Sequence, residues 1–188
     1  MTPQCQIALL WANLNLRSVC LWQNIQKDTT NPEVYKQAFS EIRSRHPNYV
    51  QIFTDGSKVD EKVAAAAVSS VAPNSPFSCR LRDHCSIYTA ELQAILLALK
   101  QAYQSQESKF IIFSESLSAL QALRKLKTDH PLLIQIQEFY TKLMQTRRKL
   151  FLCEFLDMLV FEKTRLLIEL RKKLLTMNRQ LISCLLRT

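Results

Sequence analysis

The sequence predicts an α/β protein built on a mixed sheet, and three observations carry that expectation. From residue 49 onward, short runs of β-branched and aromatic residues are interspersed with stretches of helical periodicity. The first three runs follow one another with only polar breaks between them, which reads as an antiparallel meander. Strands and helices then alternate, giving the order βββαβα(α)β of a layered α/β fold.

Residues 1–31 hold apolar patches without clean periodicity and define no element. Asn31 is a natural N-cap and Pro32 a natural first residue for a helix over 32–46, on which Val34, Phe39 and Ile42 share a face only loosely; Pro47 closes it. YVQIFT then reads as a strand, with Val50, Ile52 and Thr54 on one side and Tyr49, Gln51 and Phe53 on the other. KVDEK is a charged turn, VAAAAVSSV a second strand with alanines where bulk does not fit, and FSCRLR a third. SIYTAELQAILLALKQAYQSQ is the clearest helix. Leu92, Leu96, Leu99 and Tyr103 form its apolar stripe, and Ala90, Ala94 and Ala98 a small-residue stripe suited to close packing on a sheet. KFIIFSE reads as a buried strand, SLSALQALRKL as a short helix broken by TDHP, LLIQIQEFYTKLMQTRRK as another helix, and KLFLCEF as a last strand. This divides the chain into an N-terminal extension (1–48), a domain (49–154) and a basic, leucine-rich tail (155–188) of high helix propensity.

Composition fits a soluble globular protein: 47% hydrophobic residues and a mean hydropathy of −0.08. The net charge of +9 favours contact with a polyanion, but it is uneven, since residues 147–188 carry ten basic and four acidic side chains. Six scattered cysteines form no CxxC pair, which removes the zinc spacing and argues against a disulfide framework. No apolar run reaches the ~18 residues of a membrane span, and the N-terminus is a poor signal peptide. The expectation is a reduced, intracellular protein with no membrane partner, and nothing implies an oligomer.

Gly56 is the only glycine of the chain, and it stands directly after Asp55. Asp-Gly reads as a hairpin turn, or as a place where another group approaches the backbone closely. Asp55 ends the first strand, Glu91 lies near the start of the long helix, and Glu115 follows the fourth strand. If the first and fourth strands are neighbours, Asp55 and Glu115 leave the same edge and the helix lays Glu91 across it. Three converging carboxylates repel one another unless divalent cations sit between them. Mg²⁺ takes such oxygen ligands, and two ions about 3.5–4 Å apart clamp a phosphodiester for attack by water. Singly, each acid is an ordinary solvated residue, and one in a helix's first turn complements the helix dipole.

IFTDGSK, YTAELQAILLAL and FIIFSESLSALQAL, in that order, resemble the ribonuclease H domain in the form carried by retrotransposons of the non-long-terminal-repeat class. The resemblance covers about residues 48–154, and the helix over 32–46 is similar to sequence that often precedes the domain. It implies Mg²⁺-dependent cleavage of the RNA strand of RNA–DNA hybrids by a site of four acids. The first of these matches Asp55 and the second Glu91. The third motif, TDS in the family, is here Ser114-Glu115-Ser116, which keeps the charge and lengthens the arm. The segment resembling WVPGHxGIxGNExAD, which supplies a histidine and the fourth acid, is missing after Cys153. Read one base out of frame, the codons of residues 154–170 permit VPGHVGIRENEAADRA, so the tail reads as a frameshifted translation of that segment. His46, His84 and His130 lie on loops elsewhere and read as surface residues. Three readings follow: a ribonuclease H-type hydrolase of reduced activity using Asp55, Glu91 and Glu115; a catalytically dead remnant that binds hybrid or duplex nucleic acid; or a helical interaction protein with coincidental acids.

Overall fold

The computed structural model describes residues 31–72, 75–125 and 128–154. The expectations for residues 1–30 and for the tail from residue 155 lie outside these. The elements run α1 (Pro32–Arg45), β1 (Val50–Val59), β2 (Lys62–Ser69), β3 (Phe77–Arg80), α2 (Ile87–Gln104), β4 (Lys109–Ser114), α3 (Leu117–Leu123), α4 (Pro131–Gln145) and β5 (Lys149–Glu154). The five strands form one sheet in the order β3-β2-β1-β4-β5. β1 pairs antiparallel with β2, and β2 with β3; β1–β4 and β4–β5 are parallel. The α/β class, the meander and the mixed sheet are therefore as the residue pattern predicts.

Strand alternation sorts the core into two layers. On one face, Val50, Ile52, Ala65, Ala67, Phe110, Ile112, Leu150 and Leu152 pack against α2, α3 and α4. On the other, Phe53, Ala66, Val68, Ile111, Phe113 and Cys153 meet Phe39 and Ile42 of α1. The loose apolar face of α1 thus has a definite role. Phe39 lies 6.1 Å from the Phe53 ring and 5.4 Å from Phe113, which stack on each other at 5.2 Å. Val34, grouped with them on sequence, is exposed. Asn31 caps α1 by accepting from the Glu33 N–H at 3.0 Å, as its residue type predicts.

Three expectations change. β1 does not stop at Asp55 but runs on to Val59, and the turn into β2 is only Asp60 and Glu61, with Asp60 in the left-handed region at φ 54°. Tyr103 leaves the apolar stripe of α2: it is 44% exposed, and its ring meets Phe139 of α4 edge-on at 6.1 Å. Helix α4 covers the flank of α2 away from the sheet, so burial on α2 follows two neighbours rather than one stripe. His46 and His130 are half-buried rather than surface residues, whereas His84 is exposed. His46 packs its ring against Tyr49 and Phe151.

Two predictions follow from this packing. Truncating Phe39 to alanine removes the centre of the second layer and should cost about 3–5 kcal/mol in urea unfolding, while Val34→Ala stays near zero. Burial pushes the Cys153 thiol from 9.0 up to about 12, and the Tyr140 hydroxyl from 10.0 to about 12. Both groups are held neutral in the fold, so their contribution is complete below the unfolded values and is lost as pH rises through the folded ones. The denaturation midpoint should therefore fall steadily from about pH 9 to pH 12, with a shallower slope in Cys153→Ala.

Candidate functional site

The acid-bearing end of the sheet is organised by Gly56. It lies inside β1, opposite Ala65, and its φ is not positive, so the Asp-Gly pair is not a turn. What requires glycine is space. A Cβ added at position 56 would stand 2.5 Å from the Glu91 backbone nitrogen, 2.8 Å from the Ala90 carbonyl carbon and 3.0 Å from the Ala90 Cβ. The start of α2 is thus seated directly on the backbone of β1, and Glu91 is held beside the residue that follows Asp55.

Each neighbour of this seat is built locally. Ser86 caps α2 by accepting from the Thr89 N–H at 3.0 Å. Ala90, Ala94 and Ala98 are fully buried, as the small-residue stripe predicts. Glu91 is the fifth residue of α2 and so lies past the first turn, where the dipole effect has largely decayed. A carboxylate serving only the helix dipole would sit earlier. Glu91 is half-buried, with Oε2 shielded from solvent.

Asp55 is buried at 7% exposure. The parallel ladder between β1 and β4 ends at the pair Thr54–Ser114, so Asp55 and Glu115 are the first residues beyond it on adjacent strands. This is the neighbour relation that the sequence argument requires. Alternation directs Gly56 to the α2 face and Asp55 to the face of Phe53. Glu115 sits in a tight link: its carbonyl accepts from the Leu117 N–H at 3.2 Å, Ser114 Oγ accepts from the Ser116 N–H at 3.3 Å, and Ser116 Oγ caps α3 by accepting from Ala119.

Below the acids runs a row of buried polar residues in register across three strands: Thr54, Ser114 and Glu154. Thr54 Oγ1 donates to the Phe113 carbonyl at 3.0 Å. Glu154, only 4% exposed, is a fourth carboxylate at this end of the sheet that the sequence argument did not single out. The signal was present, since Leu150 and Leu152 point into the core and period-2 alternation puts residue 154 on their face. His130 contacts α2, the helix of Glu91. Its ring meets Tyr88 edge-on at 6.0 Å, three residues before Glu91 on α2, and its Nδ1 is closed to solvent with no hydrogen-bond partner among the described residues.

Carboxylate oxygens suit a hard divalent cation. The backbone brings the elements bearing Asp55, Glu91 and Glu115 together. Among the described residues, however, no three His, Cys, Asp or Glu side chains stand together as an ion-holding group.

Replacing Gly56 by alanine tests the seat. The new methyl meets helix backbone, not the end of a flexible side chain, so the variant should lose about 3 kcal/mol, at the upper end for overpacking. Val59→Ala, at an exposed position of the same strand, should stay within ±0.5 kcal/mol. Urea titration of both reads the contrast.

No protein-family model and no curated protein matches this sequence.

Proposed function

We propose that this chain is a ribonuclease H-like domain of retrotransposon descent, acting on the RNA strand of RNA–DNA hybrids at a rate far below that of an intact site. The observation that carries this reading is the seating of α2 on Gly56, which brings Glu91 to the strand bearing Asp55. The five-stranded mixed sheet, with three antiparallel strands followed by two parallel ones, supports it, as do the TDGS and AEL motifs. In this reading Asp55, Glu91 and Glu115 are the residues that hold Mg²⁺, which when bound supplies Lewis-acid activation of water and charge neutralisation at the leaving oxygen. The chain's own part is placement. Gly56 fixes Glu91, the end of the β1–β4 ladder fixes Asp55, and the paired serines fix the backbone of Glu115.

That last fixation also limits the rate. The extra methylene of Glu115 displaces its carboxylate by more than about 1 Å, and misplacement of about 1 Å costs on the order of 100-fold. Because the link is tied by hydrogen bonds on both sides of Glu115, the backbone has little freedom to withdraw and compensate. This favours a second reading, in which cleavage is lost and only binding of hybrid or duplex nucleic acid remains.

The two readings part in one experiment. On a labelled RNA–DNA hybrid with Mg²⁺, the first expects weak cleavage that Asp55→Asn abolishes and Glu115→Asp raises by about 100-fold. Salt-sensitive binding with no cleavage by either the natural chain or Glu115→Asp establishes the second and overturns the first.

A further inference from the structure

Ion pairs are few among the described residues: Lys36 pairs with Glu33, Arg45 with Glu41 and Arg80 with Asp83. Five of the other cations sit on three elements that meet at one corner. Lys100 of α2, Lys142 of α4, and Arg147, Arg148 and Lys149 at the entry to β5 pair with no carboxylate among the described residues. Three of them lie on aromatic rings instead. The ammonium groups of Lys100 and Lys142 stand 5.7 and 5.1 Å from the centroid of Phe139, and the Arg148 guanidinium stands 6.0 Å from that of Tyr103. The two rings touch edge-on, so Lys100, Lys142 and Arg148 are joined through them, and exposed Arg147 and Lys149 flank Arg148 in the chain. Glu107 and Glu138 are exposed nearby in sequence, but neither reaches a cation of this group within ion-pairing distance.

The backbone keeps this surface in place. Arg148 Nη1 donates to the carbonyls of Ala102 and Tyr103, tying the end of α2 to β5. Helix α4 closes with the Arg147 N–H on the Met144 carbonyl (3.1 Å) and the Arg148 N–H on the Leu143 carbonyl (3.3 Å), a Schellman close. Its left-handed position, where glycine is the least strained residue, is filled by Arg147 at φ 58°. A cation stands where backbone geometry alone favours the absence of a side chain.

We propose that this corner binds single-stranded nucleic acid, with phosphates on Lys100, Lys142, Arg147 and Lys149 and a base on Tyr103. The cations come from three separate elements and are spread along the surface, which suits a polymer of repeating negative charge better than a small anion. Tyr103 is 44% exposed with Arg148 over its ring, a pairing of aromatic ring and guanidinium on which an unpaired base, which a duplex does not present, can stack. The surface is distinct from the acids. Tyr103 lies about 18 Å further along α2 than Glu91, and Lys149 opens the strand that Glu154 ends. The inference does not rest on the hydrolase reading.

The test is fluorescence anisotropy of the full chain with a labelled 20-nucleotide oligothymidylate and a blunt duplex of the same length, across a salt series. The triple variant K100Q/K142Q/K149Q should weaken strand binding at least tenfold and reduce the slope of log K against log salt by about 2, at roughly 0.7 per lost phosphate contact. Tyr103→Ala should weaken strand binding about tenfold and leave the salt slope unchanged. Arg147→Gly separates folding from binding: relieving the left-handed residue should raise Tm by about 2–4 °C while affinity falls, so the loss cannot be misfolding. Unchanged affinity in the triple variant overturns the proposal. So does a Tyr103→Ala variant that binds as tightly as the natural chain, or displacement of the strand by polyglutamate at equal charge concentration, which would make the partner an acidic protein segment.

Discussion

The backbone of α2 reaches the backbone of β1 at Gly56 with no side chain between them, and the arrangement of the acid-bearing end follows from that contact. Helices ordinarily stand off a sheet by the thickness of two side-chain layers. Here the stand-off is reduced to that of a glycine against an alanine, and Ala94 and Ala98, also fully buried, keep the sheet-facing side of the helix small beyond it. Ala65 and Ala67 of β2 keep the same face shallow beside β1. The run of small residues that looks featureless in the sequence is the condition for bringing Glu91 down to the strand.

The opposite face has a different solution. There the sheet is bulky, with Phe53, Phe113 and Ile111, and a single amphipathic helix, α1, supplies Phe39 and Ile42 as cover. The division of the chain at residue 48 separates this helix from the sheet in sequence, but in space it forms the second core layer. Toward the start of β5 the cover becomes aromatic and half-exposed: the rings of Tyr49 and Phe151 stack at 5.4 Å, with His46 at 5.1 Å from Phe151. An α/β/α sandwich is thereby completed by residues that precede the sheet rather than follow it.

Much of the fold was legible in the sequence because the strands and α2 are strongly patterned and their breaks carry proline, serine or charge. The meander, the mixed sheet and the cap at Asn31 follow from residue type and position. What was not legible depended on distant neighbours. Asp55-Gly56 carries the strongest turn signal in the chain, and only the arrival of α2 shows that it belongs to a continuous strand. Tyr103 fits the helical stripe, and only the position of α4 decides that its ring lies edge-on to Phe139 and stays 44% exposed. Glu154 stands at the last position of β5, where alternation with Leu150 and Leu152 marks it as inward-facing, but residue type alone marks a strand-end acid as solvated. Of the site, the relation between Asp55 and Glu115 was legible only on the condition that β1 and β4 are neighbours, which the parallel ladder meets. The placement of Glu91 required the helix-to-strand distance, which no sequence pattern states.

The parallel half of the sheet has a consequence for the order of assembly. The β1–β2–β3 meander joins residues close in sequence, so its ladders close small loops. The β1–β4 ladder joins Val50 to Phe110, and β4–β5 joins Lys109 to Lys149, with whole helices between. During synthesis the meander has its full complement of residues well before β4 has emerged, and the entropy of closing the longer loops falls on the later steps. Until β4 docks, β1 has a vacant edge, so a nascent chain halted between residues 80 and 110 would expose an apolar strand flank to any other extended chain nearby.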